Sequence, residues 1–452
     1  MKIVIVGCGK IGSTIVASLV NEGHDIVAID SDPKNVNNIT NIYDVMGLCG
    51  NGTDSDTLLE AGVQNTELFV AVTGSDELNM LSCFFARKLG AKNTIARIRN
   101  YEYNDKSLAF LKQNLELSMS INPELLAAKE LFNILKFPSA VKIDTFSRGK
   151  LEMIEFRLKP DSVLDGMTLM QMREKHKAKV LVCYVQREDN IFIPDGNFAL
   201  KSGDKIGITA SPSELEKLFR SLGSFKKSAK NVMIMGGSRT ALYLAEMLTE
   251  IGSSVKIIEK NPVICEQLSE ALPKAVIIQG DGTEQELLLE EGVKSLDAFV
   301  SLTGIDEENI LISIFASSKN VPNVISKVNR DELIPLAENL GLDCLISPNR
   351  LIADVAVSYA RALQNSFGSN IETLYQLADG KAEALEFNVK SDSKVINIPL
   401  KDLQTKQGIL IAGILRGQKT VIPAGNDMIL PGDNVVIVAA EQRLEDLDGI
   451  LR

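Results

Sequence analysis

The chain has 452 residues, 45% hydrophobic and 24% charged, and a formal net charge of −11. That length exceeds one hydrophobic core, since cores stop growing near about 250–300 residues and domains cluster near about 100–150. The acidic balance argues against nucleic acid and against a bare anionic membrane surface, because both recruit a basic face. No apolar run reaches the roughly 18 residues of a transmembrane helix, and no cationic and apolar leader precedes the first strand. Six cysteines (8, 49, 83, 183, 265 and 344) lie scattered without a CxxC pair, which reads as reduced and mostly buried. The expected compartment is the cytoplasm.

Residues 1–140 alternate short apolar runs with helical patterns. KIVIVG, HDIVAID, DVMGLCG, LFVAVTG, TIARIR and LSMSI each read as a buried strand, separated by segments such as STIVASLVNEG with helical periodicity. Continuous Val/Ile/Leu strands between helices predict a parallel sheet covered on both faces. Six of them predict a doubly wound α/β fold, whose ligands sit at the carboxyl ends of the strands where the order reverses.

GCGKIG at 7–12 falls between the first strand and the first helix. Gly7 permits a tight turn, Gly9 lets backbone approach a pyrophosphate, and Gly12 lets helix pack on strand. The helix N-terminus then offers its free N–H groups to phosphate. Asp30 closes the second strand, where an acid accepts both hydroxyls of an adenosine ribose and repels a 2′-phosphate. No arginine follows closely, so NAD(H) or an adenine nucleotide is expected over NADP. Asn51 and Asp54 in GNGTD are placed on the adenosine side. Thr73, Gly74 and Asp76 in VTGSDE are placed over the pyrophosphate or nicotinamide ribose. Helix capping is the equal alternative for Asp54 and Asp76. Arg97 is aimed at a phosphate or a partner subunit.

The dinucleotide unit closes with INPELLAAKELFNIL at 121–135, in which Asn122 is a cap and Pro123 a first helical residue. This helix is apolar over more than one stripe, which suits packing on a second subunit or on a pseudo-twin. A small module follows, with short strands in LEMIEFRL, VLVCYVQ, NIFIP and DKIGITA and one helix in MTLMQMREKH. No catalytic set is visible in it. His24 and His176, the only histidines, are expected at the solvated surface.

The second half repeats the first. VMIMGGSRTA, VKIIEKNP, GDGTE, SLTGIDEEN and ISKVNR answer the segments above in order, and ISPNRLIADVAVSYARAL, with Ser347 and Pro348, answers the closing helix. A repeat this long is a duplicated pair of domains, since solenoid units run about 20–50 residues. The expected boundaries are 1–122 and 230–347 for the dinucleotide domains, 141–225 and 368–452 for the small modules. In the second glycine turn Gly236 is kept, while Ser238 and Ala241 replace Gly9 and Gly12. Glu259 keeps the ribose acid. Arg239 and Lys260 are expected to add positive charge that suits a more heavily phosphorylated nucleotide.

With VGCGKIG, the acid at 30, GNGTD, AVTGSDELNM and ARIR, the chain resembles the RCK (KTN) domain family. Its doubled order resembles the tandem RCK regulatory subunits of Trk potassium-uptake systems. The resemblance implies two Rossmann-like doubly wound parallel-sheet domains, each followed by a small α+β RCK C-terminal domain. It implies a first site of Gly7, Cys8, Gly9, Lys10, Ile11, Asp30, Asn51, Thr73, Gly74 and Arg97. The implied second site is Gly236, Gly237, Ser238, Arg239, Thr240, Glu259, Asp281, Thr303 and Lys327. It further implies NAD(H) or ATP/ADP as ligand, and a homo-oligomeric ring, dimer or tetramer. The expected place is peripheral, on the cytosolic face of the membrane through a TrkH/TrkG-type potassium translocator. An NAD-dependent oxidoreductase and a regulator of a cation/proton antiporter are the alternatives.

Overall fold

The structure is a computed structural model that describes residues 1–452 apart from 101–102, 104, 137–141, 161, 189, 224–228, 366–370 and 445. The chain forms two compact units, Met1–Ala128 with Ser347–Gln364, and Lys129–Ile346 with Asn365–Arg452.

In the first unit β1 (Lys2–Val6), β2 (Asp25–Asp30), β3 (Met46–Cys49), β4 (Leu68–Ala71), β5 (Asn93–Arg97) and β6 (Met119–Ile121) make one parallel sheet in the order 3-2-1-4-5-6. β1 and β4 are buried almost throughout because helices cover both faces, which is why their sequences are continuous rather than alternating. The order reverses between β1 and β4, so the turns after these two strands flank an open crevice.

The helix Pro348–Asn365, from the second half of the sequence, belongs to this first unit. Ile352, Ala353, Ala356, Val357 and Ala360 form one stripe packed with Ile3, Ile5, Ile15 and Leu19. Of the two uses that its broad apolar surface suggested, a second subunit or the pseudo-twin, this is packing on the pseudo-twin. Beyond the stripe, Arg361 holds Glu22 through Nε–Oε2 at 2.6 Å and Nη2–Oε1 at 2.8 Å, with side chains only 8% and 6% exposed.

In the second unit β7 (Lys142–Phe146), β8 (Leu151–Arg157), β9 (Leu181–Arg187), β10 (Asn190–Phe192) and β11 (Lys205–Ala210) form an antiparallel sheet, order 10-9-11-8-7. β12 (Asn231–Met235), β13 (Ser254–Glu259), β14 (Val276–Gln279), β15 (Ala298–Ser301), β16 (Asn323–Lys327) and β17 (Cys344–Ile346) repeat the parallel sheet as 14-13-12-15-16-17. β18 (Ile371–Leu377), β19 (Ala382–Asn388), β20 (Ile409–Arg416), β21 (Lys419–Val421) and β22 (Asn434–Ala440) repeat the antiparallel one as 18-19-22-20-21. The two antiparallel sheets share a core in which Phe146, Leu151 and Tyr184 meet Ala384, Ala412 and Val438. The sheets approach closely there, and a Cβ on Gly413 would stand 2.4 Å from Leu151 Cδ2, so that side chain would have to shift. Thr209 Oγ1 also donates to the Ala412 carbonyl at 2.7 Å.

Three features depart from the sequence expectation. β7 and β18 are edge strands that the short, mixed runs around 142–146 and 371–377 do not announce. They form because pairing with β8 and β19 buries Phe146 edge-on against Tyr375, ring centroids 5.1 Å apart. The module helix exists in the first copy as Leu169–His176, closed by a Thr168–Gln171 capping box, whereas the second copy has only the short turn Leu400–Asp402. The histidines are not solvated: His24 and His176 are 7% and 8% exposed, and His176 Nδ1 lies 2.9 Å from Ser221 Oγ.

Arg361→Met removes the guanidinium that holds the buried Glu22 carboxylate through two hydrogen bonds, so a loss of up to about 3–5 kcal/mol is expected in denaturant unfolding of this unit. A second test is pH. Glu130, on the helix Pro123–Lys136, has its carboxyl pushed up from 4.5 to about 7 by burial and by the Asp144 charge, against the opposing pull of Lys142. A raised carboxyl contributes stability below its unfolded value that is lost as pH rises through the folded one. Glu130→Gln is therefore expected to raise Tm above about pH 7, with the gain vanishing towards pH 4.5.

Candidate functional site

A cleft of about 500 Å³ opens at the carboxyl edge of the first sheet, between the turns after β1, β2, β4 and β5. The turn after β1 begins at Gly7, whose φ of +98° lies in the region that glycine alone adopts readily. A Cβ there would also sit 2.8 Å from the Thr73 backbone nitrogen. Gly12 is equally constrained, since a Cβ on it would meet the Gly7 carbonyl oxygen at 1.8 Å. Gly9 is the opposite case. It is the N-cap of the helix Lys10–Asn21, with no side-chain cap, and a Cβ on it would meet nothing within 4 Å. The first turn of that helix therefore presents its unpartnered N–H groups to an open cleft lined by Gly9, Lys10 and Ile11.

Asp30, at the end of β2, ties this turn down. Its Oδ2 accepts the Cys8 N–H at 2.6 Å and its Oδ1 accepts the Asp32 N–H at 2.8 Å. Each carboxylate oxygen keeps a second lone pair, which is the capacity needed to accept a ribose hydroxyl. Asn51 closes the turn after β3, its Oδ1 accepting the Thr53 N–H at 3.0 Å and the Thr53 hydroxyl at 2.9 Å. Thr73 is fixed by buried Asn79, whose Oδ1 accepts its N–H at 2.7 Å and its hydroxyl at 2.8 Å. Asn79 Nδ2 donates to the Arg97 carbonyl at 2.9 Å, and the Arg97 guanidinium donates back to the Thr73 carbonyl. The turns after β4 and β5 are thus tied to one another.

Gly7, Gly9, Lys10, Ile11, Asp30, Asn51, Thr73, Gly74 and Arg97 line this cleft together. Cys8 and Gly12 do not. Cys8 is buried, and burial together with the Asp30 charge pushes its thiol up to about 12. Asp54 takes the capping alternative, accepting the Thr57 N–H at 2.9 Å. Asp76 turns away from the cleft and accepts the Arg99 and Asn100 N–H groups at 2.8 and 2.7 Å. Sequence reading missed Ser31, Asn35, Ser75 and Leu78, which also line it. Ser31 could have been found as the neighbour of Asp30, whereas Asn35 lies on the following helix, Pro33–Ile42.

The second cleft, about 350 Å³, opens at the same edge of the β12–β17 sheet. Glu259 repeats the clip of Asp30, with Oε2 accepting the Gly237 N–H at 2.6 Å and Oε1 the Asn261 N–H at 2.7 Å. Thr303 is fixed by Asn309 as Thr73 is by Asn79, through bonds of 2.9 and 2.8 Å. Gly236, Gly237, Ser238, Glu259, Asp281 and Thr303 line this cleft, joined by Lys260, Ile305 and Glu308. Arg239, Thr240 and Lys327 lie outside it. Arg239 is exposed, Thr240 is buried within its helix, and Lys327 Nζ donates to the Leu302 carbonyl at 3.3 Å. The expected gain of positive charge is therefore corrected. Arg239 occupies the position that Lys10 holds in the first copy, and Lys260 alone is a new cation in the wall.

Family comparison follows the same duplication. The TrkA-N domain model matches residues 3–113 and 232–348, and the TrkA-C domain model matches 153–223 and 384–452. The chain is 32% identical to the Trk system potassium uptake protein TrkA homolog 1 of Methanosarcina mazei, covering 99% of both chains. The chain belongs to the TrkA family. It is also 29% identical to TrkA of Haemophilus influenzae over 98% of this chain and 96% of that one. In fold, this TrkA-family chain is similar to the GsuK RCK domain, with a TM-score of 0.64 at 15% identity, covering 97% of this chain and 92% of that one. A GsuK channel bound to NAD gives 0.63 at 15% identity, covering 97% and 76%. The fold is thus two Rossmann-like parallel-sheet domains, each followed by an RCK C-terminal module.

Gly9→Ser is expected to leave Tm unchanged, because the side chain enters open space, yet to weaken nucleotide binding measured by calorimetry, because it covers the free helix end. Gly12→Ala is expected to lower both, since the new methyl displaces the Gly7 carbonyl.

Proposed function

We propose that this protein is the nucleotide-sensing regulatory subunit of a Trk-type potassium-uptake system, and that its first cleft holds NAD(H) in exchange with ATP/ADP. One observation carries the reading. In a chain of the TrkA family, a free helix N-terminus, a ribose acid and a strand-five arginine line one cleft at the switch point of the sheet. The residues fit the group: Asp30 would take the ribose hydroxyls, and Gly9, Lys10 and Ile11 the phosphates. Arg97 stands at the phosphate or distal-ribose side.

A bound nucleotide spans turns held to different strands, the Asp30 clip on one side and the Thr73–Asn79–Arg97 piece on the other. A ligand shifts a conformational equilibrium only by binding its states unequally. The spacing between those two sides is the quantity through which unequal affinity would arise. The protein would act as a homo-oligomeric ring on the cytosolic face of the membrane, where a potassium translocator of the TrkH/TrkG type reads the change. No helix among the described residues is long and apolar enough to cross a membrane, which suits attachment through a partner.

The test has two parts. NADH at about 100 times its dissociation constant should stabilise the full chain by about 2.7 kcal/mol, and Asp30→Ala should abolish most of that gain at the first cleft. Potassium flux through the co-purified translocator should then change with nucleotide in the native chain and not in Asp30→Ala. A stable chain that binds nucleotide but turns over NADH with a small substrate would support the oxidoreductase instead.

A further inference from the structure

The two clefts share a frame but not a charge. The wall of the first carries Lys10 and Arg97 against the single carboxylate of Asp30, one positive charge in excess. The wall of the second carries Lys260 against Glu259, Asp281 and Glu308, two negative charges in excess. The changes are spread around the cleft. Asp281 stands where the first copy has Asn51, and Glu308 where it has Leu78. Asp281 is firmly ionised, its carboxyl held below the usual range by the hydroxyl and N–H of Thr283 at 2.7 and 2.9 Å.

The groups that would receive a phosphate have been withdrawn as well. Ser238 Oγ accepts the Ala241 N–H at 3.3 Å, so the helix N-terminus that Gly9 leaves open is partly capped by the chain itself. The strand-five cation has left the cleft, with Lys327 bonded to the Leu302 carbonyl. Ile264 and Ile305 replace Asn35 and Ser75, and the volume falls from about 500 to about 350 Å³. What survives is an acid at the end of the second strand, now Glu259, clipped to its turn in the same way.

We propose that the second cleft takes an adenine nucleoside carrying little or no net negative charge, and rejects the free pyrophosphate ligand that the first cleft takes. This rests on the reading that both clefts are nucleotide sites. Such a ligand is either a free nucleoside or a nucleotide whose phosphates are neutralised by magnesium. Asp281 and Glu308 are the specificity determinants, because each adds a negative charge to a confined wall, which raises the cost of bringing a charged phosphate into the same cleft.

The experiment is calorimetry on the full chain in EDTA, first with NADH to saturation and then with adenosine or ADP. NADH should fill one site per chain. Adenosine should then fill one more, and ADP should bind that second site at least about tenfold more weakly, a difference of about 1.4 kcal/mol. Repeating the ADP arm with magnesium separates the sources. ADP that now matches adenosine assigns the metal complex, and ADP that stays weak assigns the nucleoside. The double variant Asp281→Asn with Glu308→Leu restores the first copy's residues at these two positions, and should strengthen ADP binding at the second site in EDTA until it approaches that of adenosine. That gain cannot come from misfolding. Two NADH per native chain in EDTA, or ADP binding as tightly as adenosine there, would overturn the proposal. Absence of any NADH binding would instead remove the nucleotide reading of both clefts.

Discussion

Both clefts depend on one close approach of backbone to backbone. The turn after the first strand presses on the turn after the fourth so closely that a side-chain carbon on Gly7 would collide with Thr73, and one on Gly236 would stand 3.0 Å from the Thr303 nitrogen. Glycine is needed at both points for reach as well as for its positive φ. A carboxylate from the second strand then clips the turn, through Asp30 or Glu259. That the longer glutamate makes the same pair of bonds means the clip, more than the residue type, is what the fold requires.

Around this contact the duplicated chain builds two environments of different character. The parallel sheets are covered by helices on both faces, and their central strands are held by hydrophobic packing. The antiparallel modules add fixed ion pairs at matching places: Arg187 grips Asp204 at 2.8 Å, and Arg416 grips Asp433 at 2.8 Å, beside the turns whose glycines are Gly203 and Gly432. Each aspartate is nearly inaccessible, so its charge is stabilised by the guanidinium and by backbone N–H groups rather than by water.

Duplication in one chain gives each half a freedom that two identical subunits lack. The helix Pro348–Asn365 lies in the first unit, where Arg361 meets Glu22. The residue aligned with Glu22 in the second half is Ile251, half exposed. A buried ion pair therefore follows the helix that starts at the first glycine turn, and an uncharged isoleucine stands at the same place after the second. The same divergence acts on the cleft walls, where hydroxyl and amide side chains give way to isoleucines and acids while the clip and the asparagine brace persist.

The sequence by itself determined the duplication, the six buried strands of a parallel sheet, the glycine turns, the acids that end the second strands and the capped closing helices. Each of these follows from local rules, in which strand burial, turn conformation and helix capping leave a mark within a few residues. Tertiary structure alone decided the rest. Whether Lys327 lined its cleft and where His24 lay depend on neighbours distant in sequence. The edge strands β7 and β18 likewise exist because β8 and β19 stand ready to pair with them. The sign of each cleft belongs to this second class: Glu308 and Leu78 read alike as residues of a helix's first turn, and only the fold turns one of them into a wall charge.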